Sequence, residues 1–117
     1  MPPFERVSDR RVEEDYVIGK ALGRGQFGLV LAATHKASGR PVAVKRVDKK
    51  RSKPAYIASE VDIMARLRGH PHIVTIFAVY DGADSAFVHL VVELCSGGEM
   101  FEVRQGGAVA RAARAGW

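Results

Sequence analysis

Apolar residues recur with two different periods along this chain, and the change of period divides it into elements. Tyr16, Ile18 and Leu22 fall at even spacing within Tyr16–Leu22, the alternation of a half-buried strand. A second apolar run, Leu29–His35, follows a glycine-rich stretch. A third, Pro41–Val47, follows the turn signal Ser38-Gly39-Arg40-Pro41 and is rich in valine. The period then lengthens. Ile57, Val61, Met64 and Leu67 share one face of a helix, with Pro54 suited to its first turn and Gly69 and Pro71 to its end. Alternation returns at Ile73–Tyr80 and Ala86–Val92, joined by the turn residues Asp81-Gly82-Ala83-Asp84. The order predicted is three strands, a helix and two strands.

The ends differ from the middle. Residues 1–14 are polar and charged, and are read as a leader. The domain spans 15–102. From 103 to 117 the composition collapses into Gly, Ala and Arg, a low-complexity tail read as disordered or weakly helical. At 117 residues, 47% hydrophobic and 26% charged, the chain suits one small globular domain and no fibrous or disulfide-stapled class. Cys95 is the single cysteine, so no internal disulfide forms, and a reducing, intracellular and cytoplasmic setting is expected. No apolar run reaches the roughly 18 residues of a membrane helix, and no secretory signal precedes the domain. No membrane partner is expected.

The formal charge is +5, but the excess is local. Six of the nine residues from Lys45 to Lys53 are basic, whereas Gly69–Val103 contains no Lys or Arg. Aromatic residues do not interleave with the basic run as a base-stacking surface requires, so no nucleic-acid partner is expected. His70 and His72 lack a nearby Cys or carboxylate in sequence and are not read as metal ligands.

Gly23-Arg24-Gly25-Gln26-Phe27-Gly28 has the spacing G-x-G-x-x-G. Without Cβ atoms such a backbone can approach a phosphate and turn N–H groups toward it. Alone the motif also describes an ordinary hairpin turn. It equally opens dinucleotide-binding folds, where a helix follows and an acid about 20 residues on holds the ribose; Asp48 has that spacing. Against that fold, Leu29-Val30-Leu31 carries no helix cap, and Lys45, Glu60 and Glu93 are left without a role.

The later segments decide between these readings. Val42-Ala43-Val44-Lys45 follows the glycine loop, and Ser59-Glu60-Val61-Asp62-Ile63-Met64 lies on the helix. Gly69-His70-Pro71-His72-Ile73-Val74 and Leu90-Val91-Val92-Glu93-Leu94-Cys95-Ser96-Gly97-Gly98-Glu99-Met100-Phe101 follow in order. With Leu22–Val30 these segments resemble the N-terminal lobe of the Ser/Thr protein kinases. The calcium/calmodulin-dependent and plant-type calcium-dependent group is the nearest in pattern. The resemblance runs from about Tyr16 to Phe101 and implies an α+β fold, a five-stranded antiparallel sheet with one main helix.

That resemblance implies roles. Gly23, Gly25 and Gly28, with Phe27 near the tip, would fold over the phosphates of ATP. Lys45 would bind the α- and β-phosphates and pair with Glu60, since an inward acid needs a partner. Leu22, Val30 and Ala43 would cover the adenine, with Val92 as gatekeeper. The backbone of Glu93 and Cys95 would read its edge, and Glu99 would approach the ribose. Met64 and Ile76 would stack in an apolar spine, a position that core packing explains equally well. The family uses magnesium with ATP and acts on protein substrates. Its catalytic aspartate and magnesium-binding motifs, H-R-D-x-x-x-x-N and D-F-G, lie in a C-terminal lobe. Neither occurs here, and no aspartate follows Asp84. No residue of this chain is assigned a catalytic or metal-binding role. The reading is thus the ATP-binding portion of a kinase, ending after the hinge, missing its C-terminal lobe and inactive by itself. The alternative is a non-catalytic interaction module built on the same lobe. Calcium control and the protein substrate are not written in these residues.

Overall fold

In the computed structural model the described residues are 3–24, 28–71 and 73–94. They form strand β1 (Glu5–Val7), a short helix α1 (Val12–Asp15), β2 (Tyr16–Arg24), β3 (Gly28–His35) and β4 (Pro41–Asp48). Helix α2 (Pro54–Arg66) and strands β5 (Ile76–Tyr80) and β6 (Phe87–Glu93) complete them. The strands make one six-stranded sheet in the order β1-β5-β6-β4-β3-β2.

The sheet is mixed, which corrects the expectation of five antiparallel strands. Four ladders are antiparallel. The sixth strand, β1, runs parallel to β5 with Glu5 opposite Ala78 and Val7 opposite Tyr80. It comes from the segment read as a leader. Three residues flanked by charges show too little alternation to register as a strand, yet Val7 is buried and the Asp81 N–H donates to its carbonyl. Val12 on α1 is 1% exposed, so residues 5–15 pack into the domain rather than precede it.

The period-2 strands place alternate residues on two apolar faces. One face gathers Ala43, Val47, Val79, Leu90 and Val92 under the α2 residues Ile57, Val61 and Met64. The other gathers Val42, Val44, Phe77, Tyr80 and Val91 with Val7, Val12 and Tyr16 from the N-terminal segment. Both faces of the central strands β4 and β6 are therefore covered, which accounts for their nearly unbroken valine runs.

Pro54 opens α2, where a missing N–H costs nothing, and Gly69 at φ 87° lies just beyond its end. The β3–β4 turn closes with the Gly39 N–H donating to the His35 carbonyl, Gly39 holding φ 74°. Strand β5 begins at Ile76, three residues later than the apolar run suggests. Just before it, Thr75 is held to Glu93 twice: its carbonyl accepts the Glu93 N–H at 2.8 Å, and its own N–H donates to the Glu93 carboxylate at 3.2 Å.

Candidate functional site

The site lies on the α2 face of the sheet, between the helix and the β2–β3 hairpin. Its polar centre is Lys45 and Glu60. On β4, Val44 is committed to the opposite face, so Lys45 points toward α2 with its neighbours Ala43 and Val47. On α2, Glu60 shares the inward stripe of Ile57, Val61 and Met64. Lys45 is 6% exposed and Glu60 3%. The Lys45 ammonium stands 3.9 Å from Glu60 Oε2. Two opposite charges are thus held together out of water, at the outer reach of an ion pair. Taking both from water is costly, and each makes the other's burial tolerable.

Apolar side chains surround this pair on the same face. Ala43 and Val92 are buried members of the α2-side cluster, and Leu22, Val30 and Leu94 pack against it. Register explains the convergence. Val30 lies opposite Lys45 on one side of β4, and Val92 opposite Ala43 on the other. Leu22 gets there through an irregularity. Ala21 and Gly23 pair with the consecutive residues Leu31 and Val30, leaving Leu22 as an extra residue that bulges the strand. Met64 and Ile76 also belong to this cluster.

Gly23 pairs with Val30 at the base of the hairpin, and Gly28 opens β3. A Cβ on Gly28 would run into the Arg46 carbonyl oxygen. Glycine is therefore required here by the close approach of β3 to β4, before any ligand is considered. Glu93 ends β6, its N–H donating to the Thr75 carbonyl at 2.8 Å. Gly25, Phe27, Cys95 and Glu99 lie outside the described residues, as do His72 and the tail.

The arrangement offers an apolar floor for a flat ring and, beside it, a buried cation steadied by a carboxylate. If the ligand is an adenine nucleotide, Leu22, Val30, Ala43 and Val92 are the residues that would meet the ring and Lys45 the one that would meet the phosphates. Among the described residues no group of three or more His, Cys, Asp or Glu converges. No helix among them is long and apolar enough to cross a membrane. A dinucleotide-binding fold is excluded, because Gly28–His35 is a strand where that fold needs a helix.

Sequence pattern missed the network on the opposite face. Asp15 Oδ2 accepts from Arg10 Nε and from the Tyr80 hydroxyl, each at 2.6 Å. Burial alone would raise the Asp15 carboxyl; the bonds from Tyr80 and Arg10 outweigh it and hold the group below its ordinary value. Burial, together with that carboxylate, pushes the Tyr80 hydroxyl up. A cavity of about 390 Å³ opens beside this network, lined in part by Val12, Arg46, Tyr80, Phe87 and His89. It is separated from Lys45 by the thickness of the sheet.

A sheet with one packed helix, an inward Lys–Glu pair and apolar side chains gathered beside it has the architecture of a kinase small lobe. The protein kinase domain model matches residues 16–115, and the chain belongs to the protein kinase family. Calcium-dependent protein kinase 26 of Oryza sativa subsp. japonica is 43% identical over 107 residues, which are 86% of this chain and 19% of that protein. Calcium-dependent protein kinase 9 of the same plant is 43% identical over 111 residues, 90% of this chain and 19% of that protein. The chain thus spans about a fifth of the length of these relatives. Among solved structures, the twitchin kinase region from C. elegans superposes with a TM-score of 0.71 at 26% identity, covering 85% of this chain and 17% of that one.

Proposed function

We propose that this chain supplies the ATP-binding portion of a Ser/Thr protein kinase and that, by itself, it binds nucleotide weakly and transfers no phosphoryl group. One observation carries the reading: the ammonium of Lys45 lies 3.9 Å from Glu60 on the face that also gathers Leu22, Val30, Ala43 and Val92. Lys45 would neutralise the α- and β-phosphates, and Glu60 would hold the lysine in place. The hairpin of Gly23 and Gly28 would bring backbone N–H groups over the phosphates, with Gly25 and Phe27 at its tip. The backbone of Glu93 and Cys95 would meet the adenine edge, and Glu99 the ribose. ATP bound with magnesium supplies the transferable phosphoryl group.

Phosphoryl transfer further requires an aspartate to take the substrate's proton and ligands to hold the metal. The 117 residues contain no H-R-D or D-F-G motif that would provide them. Among the described residues, the adenine would be covered from the sheet side only. Affinity for ATP is accordingly expected on the order of millimolar.

Isothermal titration of the 117-residue chain with ATP and magnesium tests this. Weak binding abolished by Lys45→Met is the expected result. Binding that survives Lys45→Met, or magnesium-dependent phosphorylation of a generic protein substrate by the purified chain, would overturn the reading.

A further inference from the structure

The N-terminal segment makes two anchored contacts on opposite faces of the sheet, and one of them reaches the helix that carries Glu60. Phe4, just before β1, packs against the apolar cluster that contains Ile57, Val61 and Met64 of α2. The Arg6 guanidinium lies over the Phe4 ring, 5.1 Å from its centre. From there Arg6 Nη2 donates to Asp62 Oδ1 at 2.8 Å. Ring, guanidinium and carboxylate form a short stack that ends on α2, two residues beyond Glu60.

The other anchor lies across the sheet. Val12 is sealed into the opposite cluster, and Arg10 is joined through Asp15 to the Tyr80 hydroxyl of β5. Between the anchors β1 is zipped to β5 in parallel register. The segment therefore cannot shift freely, and whatever it grips on α2 is held relative to the sheet. The family match begins at residue 16, so it assigns no role to residues 4–15.

Helix α2 buries Ile57, Glu60, Val61 and Met64 against the sheet, while Pro54, Ala55, Tyr56, Ala58, Ser59, Asp62 and Arg66 are exposed. A rigid helix moves as a unit, so a displacement at Asp62 is a displacement at Glu60. The Lys45–Glu60 gap of 3.9 Å makes that matter. A small outward movement of α2 separates the two charges beyond pairing distance, and a small inward one brings them to direct hydrogen bonding.

We infer that Phe4 and Arg6 tie the N-terminal segment to α2 through Asp62 and so set the distance between Glu60 and Lys45. Arg6 is a positioning residue, acting on the nucleotide site through the helix. The inference rests on the proposed role of that pair for its functional meaning, but the tie itself is read without nucleotide.

The test is a charge swap with covalent labelling. The wild-type 117-residue chain, Arg6→Asp, Asp62→Arg and the double swap are treated briefly with an amine-reactive acylating reagent. Acylation of Lys45 is measured by peptide mass spectrometry relative to the exposed Lys36. Each single variant is expected to raise the Lys45 ratio about two- to fivefold, the range open to one exposed ion pair at 57% and 51% side-chain exposure. The double swap is expected to return it toward wild type. Phe4→Ala raises it as well, by removing the ring that orients Arg6. Amide exchange at Leu90 and Val91 in β6 separates this from general loosening, and is expected to stay at the wild-type rate.

Unchanged Lys45 labelling in both single variants would overturn the tie. So would a double swap labelled as fast as the singles, or a rise in labelling matched by faster β6 exchange. Because the labelling ratio needs no ATP, it decides the tie whether or not the chain binds nucleotide.

Discussion

Replacing Glu60 by alanine removes one member of a pair whose charged groups are both buried. Lys45 would then keep an ammonium at 6% exposure with its carboxylate gone. Breaking such a pair costs about 3–5 kcal/mol, because the remaining charge stays out of water. The 3.9 Å separation places this pair at the lower end, at about 3 kcal/mol. For a domain of this size, about 1 kcal/mol shifts the melting temperature by roughly 4–8 °C, so a loss of about 12–24 °C is expected. If Glu60 were instead an ordinary solvated helix charge, alanine's higher helix propensity would stabilise the chain by a few tenths of a kcal/mol. The two cases differ in sign as well as size. Replacing both residues, with Lys45→Met and Glu60→Leu, puts two apolar side chains where two charges met. That exchange is often neutral or stabilising for a buried pair. The double variant is therefore expected near wild-type stability, while losing ATP binding altogether. Urea unfolding at low temperature, followed by circular dichroism, measures Glu60→Ala, the singles Lys45→Met and Glu60→Leu, and the double variant. A Glu60→Ala chain within about 0.5 kcal/mol of wild type would refute the reasoning. So would a double variant whose loss equals the sum of the two singles, since uncoupled residues add.

Gly28→Ala is expected to destabilise the chain without any ligand present, because its methyl group meets the Arg46 carbonyl oxygen; wild-type unfolding with only ATP affinity altered would show the steric argument wrong. Asp15→Asn removes the charged acceptor shared by Arg10 and Tyr80 and should cost about 1–3 kcal/mol in urea unfolding, with a value near zero refuting it. His89 supplies a pH dependence. Burial and the neighbouring Arg46 guanidinium hold its imidazole below the ordinary value of 6.5, with Glu13 opposing. The unfolded chain therefore binds the proton more readily, so this contribution to stability is complete above about pH 6.5 and is lost as the pH falls below it. Unfolding free energies at pH 7.5 and 5.5 should differ less in His89→Gln than in wild type, and equal differences would sink the assignment.

The parts of the site legible in sequence are those fixed by strand and helix periods. Lys45 ends an alternating run, so its side is dictated by Ala43 and Val47; Glu60 stands at helical spacing from Ile57 and Met64. Each side chain's direction follows from neighbours a few residues away. Leu22 is legible for a different reason. The even spacing set it on one face with Tyr16 and Ile18, but the bulge carries it to the α2 side of the sheet, where only the family pattern had put it. Strand β1 was hidden because its evidence is not local. Glu5-Arg6-Val7 shows one inward apolar residue, and its partner lies some 70 residues away in β5. The Arg10–Asp15–Tyr80 network shares that difficulty, since its members are joined by topology rather than by spacing.

Two demands meet in the glycine hairpin, and they need not have the same source. Gly28 is required by packing, because β3 approaches β4 too closely there for a side chain. Gly23 has a half-buried position opposite Val30 at the base of the hairpin. A G-x-G-x-x-G match is commonly read as one device with one purpose. Here its last glycine is accounted for by the sheet alone, so its presence adds nothing to the case for a bound phosphate. The case for nucleotide rests instead on Lys45, whose burial on an apolar face has no packing rationale: methionine would fill the same volume without a charge to neutralise. A buried ammonium kept at the cost of a second buried charge is what distinguishes this sheet from one that only needs to fold.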